Sequence, residues 1–282
     1  MTLTTLVSSA ELTERLGRDT LVIVDCRFML DDVEWGAREY ATRHIPGAVY
    51  AHLDRDLSGA KTGVNGRHPL PPTDELIETF SRLGIAGNVQ VVAYDQNNGM
   101  YASRLWWMLR WMGHTGVAVL DGGFAKWIAE ERPTSSGAER NTRAQFAGSP
   151  GADAMVDADT VATLTSNAEW RLIDARAPER FRGDVEPIDK VAGHIPGAVD
   201  HFFQQNLTAE GTYRSPAELR VALAAIIGEV RSDHVVCYCG SGVTACHNML
   251  ALEHAGIHGA KLYPGSWSEW SSDPLRPVSQ GV

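Results

Sequence analysis

The sequence predicts an α/β protein made of two tandem copies of one domain, each a mostly parallel sheet with helices on both faces. Three observations predict it. Four landmarks recur in the same order, 143 to 150 residues apart. Short β-branched runs alternate with longer helical patterns, the signature of parallel strands joined by crossovers. A stretch of small, polar, turn-forming residues separates the copies.

The landmarks are specific. Leu21–Arg27 answers Arg171–Arg176, and His-Ile-Pro-Gly-Ala occurs at 44–48 and again at 194–198. Val91–Asp95 answers Val235–Cys239, and Asp121–Trp127 answers Pro264–Trp270. A period this long marks a duplicated domain rather than a solenoid unit. The expected boundaries are 1–132 for the first domain, 133–154 for the linker and 155–282 for the second.

Within the first copy, Leu21–Val24, Val89–Tyr94 and Val117–Leu120 read as buried strands. Their partners are Arg171–Ile173, Val235–Tyr238 and Lys261–Tyr263. Ser103–Met112 reads as a helix with a wide apolar face that stops at Gly113, and Thr244–His254 is its counterpart. Parallel sheets present ligands beyond the carboxyl ends of their strands, and Asp25, Asp95, Asp174 and Cys239 fall at such ends.

At 282 residues, with 44% hydrophobic and 21% charged residues, the chain has material for two cores. A net charge of −10 excludes a nucleic-acid binder, which needs a basic face, but not a local anion pocket. No basic segment precedes an apolar one at the start, so no signal peptide is expected, and no apolar run is long enough to span a bilayer. The four cysteines, three of them between 237 and 246, do not form a disulfide framework. A reducing, cytoplasmic setting is expected.

The strongest chemical signal is Cys239-Gly240-Ser241-Gly242-Val243-Thr244, between a strand and a helix. Thiolate is the reactive form of cysteine, and a helix N-terminus favours it. Two glycines let the backbone curl so that several N–H groups converge on one sulfur. Cys26, Cys237 and Cys246 read as buried core residues. A Cys-x5-Arg phosphatase would need arginine where Ala245 stands. A zinc site from Cys237, Cys239, Cys246 and His247 has the wrong spacing, and a dithiol redox pair would need Cys-x2-Cys.

The doubled His-Ile-Pro-Gly-Ala, the strand–Cys–loop–helix element and Gly265–Trp270 resemble the rhodanese superfamily, in particular its tandem-domain thiosulfate and 3-mercaptopyruvate sulfurtransferases. The likeness runs over nearly the whole chain. It implies a silent first domain, with Asp95 where the repeat aligns Cys239, and an active second domain. The wording of the Cys239 loop resembles the mercaptopyruvate branch; the thiosulfate branch usually carries basic residues at the loop's second and third positions. By the same resemblance Ser241 works with His68 and Asp54, and Arg180 binds the donor's carboxylate. The family's second arginine falls on Asp189, leaving Lys190 as the candidate cation. Gly240, Gly242, Val243 and Thr244 would hold the donor through backbone N–H groups, with Met100 and Tyr101 candidates to line the site.

Asp25, Asp174, Arg27, Arg176, His44 and His194 occupy equal places in both copies, which argues for structural roles. Trp106, Trp107 and Trp111 read as core or interface residues. The expected reaction is a two-step transfer through a Cys239 persulfide, from a small anionic donor to a thiol such as thioredoxin, or to cyanide, with no metal or organic cofactor. A monomer is expected, with no nucleic-acid or membrane partner. The rivals are a thiosulfate enzyme and a silent rhodanese-like binding module.

Overall fold

The computed structural model describes residues 2–281, which divide into two compact units. The first comprises the chain up to Gly59, Leu70–Gly151 and Ala209–Tyr213; the second comprises Ala60–Pro69, Ala152–Thr208 and the chain from Arg214 on. The ten residues 60–69 therefore pack with the second unit, although they lie deep inside the first copy in sequence.

In the first unit, β1 (Leu6–Val7), β2 (Leu21–Asp25), β3 (Ala48–Tyr50), β4 (Gln90–Tyr94) and β5 (Val117–Leu120) form a parallel sheet in the order β1-β5-β4-β2-β3. Val92 and Tyr94 of β4 join a core with Ile23, Ala118, Leu120 and Trp127, while the intervening Val91 and Ala93 are equally buried on the opposite face. Both faces of the sheet are covered, as continuous apolar strands require. The helix Ala102–Trp111 contributes Leu105, Trp106, Met108 and Leu109 as fully buried side chains.

In the second unit, β6 (Arg171–Asp174), β7 (Val199–Asp200), β8 (Val235–Tyr238) and β9 (Lys261–Leu262) form a parallel sheet in the order β7-β6-β8-β9. A single bridge, Met155 to Leu262, stands where β1 pairs β5 in the first unit. Val236, Tyr238, Tyr263, Trp267 and Trp270 form its core. Both parallel sheets and the repeat are as the sequence predicts. Helix ends differ by a residue, Ala102–Trp111 against the expected 103–112 and Ala245–His254 against 244–254.

The repeated motifs have the same local work in each copy. Asp25 and Asp174 end β2 and β6 fully buried, and each accepts Nε and Nη2 from the arginine two residues on, Arg27 or Arg176. Each guanidinium also donates to a backbone carbonyl, at Arg43 or Gly193, and lies over an aromatic ring, Phe124 or Trp267. His44 and His194 use Nδ1 on the carbonyls of Tyr40 and Phe181. Ile45 and Ile195 donate their N–H to the hydroxyls of Tyr94 and Tyr238, each at 3.3 Å. Gly47 and Gly197 have φ of 77° and 78°, a turn that only glycine makes without strain. Thus His-Ile-Pro-Gly-Ala is a structural turn ahead of β3 and β7, and its histidines are tied to backbone.

Residues 133–151 form no helix or strand, yet they are fastened to the first unit. Trp127 Nε1 donates to Pro133 O, Ala144 N–H donates to Ser81 O, and Phe146 packs edge-on against Phe80 at 5.0 Å.

Candidate active site

Cys239 is the first residue after β8, and its loop leads into the helix Ala245–His254. The side chain is 1% exposed. Its own N–H donates to Ser266 Oγ (3.1 Å), and its carbonyl accepts from Trp267 N–H (2.9 Å). Ser266, held at φ 54°, donates its hydroxyl to Tyr263 O (2.9 Å). The residue is locked in place by the turn after β9. Gly242 has φ of 75°, and a Cβ there would meet Pro264 O at 2.3 Å, so both the curl of the loop and its approach to that turn require glycine.

The equivalent loop of the first unit shows what such a curl can hold. The Asp95 carboxylate, fully buried, accepts N–H groups of Asn97, Gly99, Tyr101 and Ala102, at 3.3, 3.0, 2.7 and 3.1 Å. Burial raises its pKa, and the four N–H donors oppose that rise. Counted back from the helix start, Tyr101 and Ala102 correspond to Thr244 and Ala245. In the Cys239 loop the N–H groups of Ser241, Val243 and Thr244 have no protein acceptor among the described residues. Burial pushes the Cys26 and Cys237 thiols well up, which keeps both inert. Cys246 sits 3.3 Å from Gly242 O inside the helix.

Two side chains from residues 60–69 reach this loop within the second unit. His68 Nδ1 lies 2.7 Å from Ser241 Oγ, with the two residues 4% and 6% exposed. Arg67 extends over Gly240, where a Cβ would come 2.8 Å from Arg67 Nη2 and 3.7 Å from both Nη atoms of Arg180. Arg180 donates Nε and Nη2 to Glu186 and Nη2 to Asp189. Asp189 pairs in turn with Arg67 Nη1. Burial would raise the Glu186 carboxyl, but the Asp189 N–H and the Arg180 guanidinium outweigh it and hold it below its ordinary value.

Among the residues expected in a site, the structure thus brings together Cys239, Gly240, Ser241, His68 and Arg180. Val243 is buried, and Thr244 ends the loop at the helix N-cap. Lys190 is exposed and is not among the cations over Gly240. Asp54 belongs to the first unit, in the helix Leu53–Asp56, where its N–H donates to His52 Nδ1. Met100 and Tyr101 also belong to that unit; the buried Tyr101 packs edge-on against Phe28. The sequence did not single out Arg67, which the structure places over Gly240. Its signal was adjacency to His68, masked by an exposed-looking Gly-Arg-His-Pro loop. Among the described residues no cluster of three or more His, Cys, Asp or Glu side chains is arranged to hold a metal ion, and no helix is long and apolar enough to cross a membrane.

The rhodanese-like domain pattern matches residues 8–130 and again 157–273. The chain belongs to the rhodanese-like family. Among its relatives in this family, a Pseudomonas aeruginosa protein named "Probable 3-mercaptopyruvate sulfurtransferase" is 46% identical over 98% of both chains. The mouse thiosulfate sulfurtransferase is 34% identical over 95% of this chain and 91% of its own. The solved 3-mercaptopyruvate sulfurtransferase of Leishmania major superposes with a TM-score of 0.83 at 31% identity, covering 95% of this chain and 74% of that one. This rhodanese-like chain is a sulfurtransferase.

Proposed function

We propose that the chain moves sulfane sulfur from 3-mercaptopyruvate to a thiol through a persulfide on Cys239. The contact that carries this reading is His68 Nδ1 to Ser241 Oγ at 2.7 Å, two residues from the nucleophile. The Cys239 thiolate attacks the donor's sulfur, an S–S bond forms and the donor's C–S bond breaks. The electron pair leaves on carbon as the pyruvate enolate, which must take a proton. Ser241 delivers that proton and His68 replaces it. The N–H groups of the 240–244 loop stabilise the developing negative charge, as their counterparts stabilise the Asp95 carboxylate. Arg180 holds the donor's carboxylate. A thiol acceptor, of the thioredoxin kind, then attacks the outer sulfur and restores Cys239. Lys190, being exposed, serves at most to draw anions toward the site. The enzyme works as a monomer in the reducing cytoplasm, without nucleic acid, metal or organic cofactor.

A second reading, thiosulfate as donor, is favoured by the two guanidiniums over Gly240 and by the name of the mouse relative. The two are separated by kcat/KM for pyruvate release from 3-mercaptopyruvate and for sulfite release from thiosulfate, with one shared dithiol acceptor. We expect mercaptopyruvate to be preferred at least tenfold, and Cys239→Ser to abolish both. A preference for thiosulfate would overturn the first reading. Equal background turnover in Cys239→Ser would overturn both.

A further inference from the structure

The charged side chains beside Gly240 form a ladder of alternating sign. It begins at the buried end of β6 and runs Asp174, Arg176, Glu186, Arg180, Asp189, Arg67. The links are Arg176 to Asp174 (2.6 Å) and to Glu186 (3.4 Å), Arg180 to Glu186 (2.7 Å) and to Asp189 (3.2 Å), and Arg67 to Asp189. Asp174, Arg176, Glu186 and Asp189 are almost wholly withdrawn from water, at 0 to 6% exposure. Each internal rung has an opposite charge on both sides, but Arg67 has one on one side only. Its Nε is buried with no acceptor, and its Nη2 faces Gly240. Buried guanidinium donors are ordinarily satisfied, so this end of the ladder is built to receive an anion.

Two features of the sequence fit that end together. The family resemblance sets an arginine where this chain has Asp189, and the thiosulfate branch sets a basic residue where it has Gly240. Neither cation is present. The guanidinium of Arg67 fills the room that a side chain at 240 would need, 2.8 Å from the position of its Cβ. It is held there by Asp189 and by its own N–H on Ser268 Oγ (3.0 Å). We propose that Arg67 is the second donor-binding arginine of this enzyme, gripping the anionic head of the sulfur donor together with Arg180, and that Asp189 is the positioning residue that aims both. This rests on the sulfur-transfer reading above. It explains how a loop free of basic residues still meets an anion with two guanidiniums, through an arginine supplied from outside both family positions.

The test is single-turnover loading of Cys239, followed by intact mass across a range of 3-mercaptopyruvate concentrations, or of thiosulfate if that is the donor that loads the parent. It yields a donor half-saturation and a maximal rate. Arg67→Gln should raise the half-saturation at least tenfold and keep the maximal rate within threefold, because the group binds charge and takes no part in bond breaking. Arg67→Lys, which keeps the charge and leaves Asp189 in place to aim Arg180, should raise the half-saturation by no more than about threefold. Melting temperatures of the variants show that each is folded. An unchanged half-saturation in Arg67→Gln would overturn the proposal. So would a fall in maximal rate alone, the mark of a purely structural tie, or an Arg67→Lys variant as weak as Arg67→Gln. A parent that loads from neither donor would instead overturn the sulfur-transfer reading.

Discussion

Ser241 and His68 matter to the chemistry only if the leaving group needs a proton. The pyruvate enolate does and sulfite does not. Ser241→Ala and His68→Gln should each lower kcat on 3-mercaptopyruvate by about 100-fold, the lower range for a positioned acid, and change thiosulfate turnover by less than threefold. Because the two groups share one hydrogen bond, the double variant should be no worse than the weaker single. Additive losses in steady-state assays would contradict a relay. A second residue tests the electrostatics. Asp200 ends β7 beside Asp174, with Oδ1 buried and unpartnered. Burial and then the Asp174 charge raise its pKa to about 6. A raised folded pKa means the folded state holds the proton more tightly, so stability present below the ordinary carboxylate range is lost as pH rises through about 6. Asp200→Asn should therefore stabilise at pH 8 and not at pH 4. The half-buried site is partly screened by water, so the gain should be about 1 kcal/mol. Thermal melts at the two pH values check it, and an equal effect at both would contradict the assignment.

Among the elements, the loop between β8 and its helix depends most on backbone shape. Gly242→Ala puts a side chain at φ 75° and 2.3 Å from Pro264 O, which pushes the loop away from the turn that locks Cys239. A loss of about 1–3 kcal/mol in urea denaturation, with a larger proportional loss of activity, is expected. Stability and activity both equal to the parent would contradict it. The elements also show what the sequence could reveal. Strands β2, β4, β5, β6 and β8 were legible because both faces are buried and their central residues are apolar. β1, β3 and β7 span two or three residues, too few for any period to emerge. The Cys239 loop was legible as the connection between a strand and a helix. Arg67 was not, because its place beside Gly240 depends on residues 60–69 packing with the second unit, a long-range contact that leaves no local pattern.

For the molecule as a whole, duplication separates scaffold from chemistry. What both copies keep is structural: the Asp25–Arg27 and Asp174–Arg176 pairs share the same fork and a backbone-carbonyl contact, with Glu186 as a further partner of Arg176 alone, although only one copy has a cysteine at the end of its β4 or β8 strand. Arg27→Met and Arg176→Met should each cost about 3–5 kcal/mol, because each strands a buried carboxylate. Urea midpoints of both variants should fall, that of Arg176→Met at least as far because Glu186 also loses a partner, and a silent Arg27→Met would contradict the equivalence. What the copies do not share is the residue inside the loop. Asp95 fills its curl by accepting four N–H groups, whereas in the Cys239 loop the N–H groups of Ser241, Val243 and Thr244 have no protein acceptor among the described residues. One sulfur should therefore load per chain. Intact mass of the reduced protein after brief exposure to 3-mercaptopyruvate, beside Cys239→Ser, tests this most directly. The account predicts a gain of one sulfur atom in the parent and none in the variant; an equal gain in both, or no gain in the parent with either donor, would contradict it.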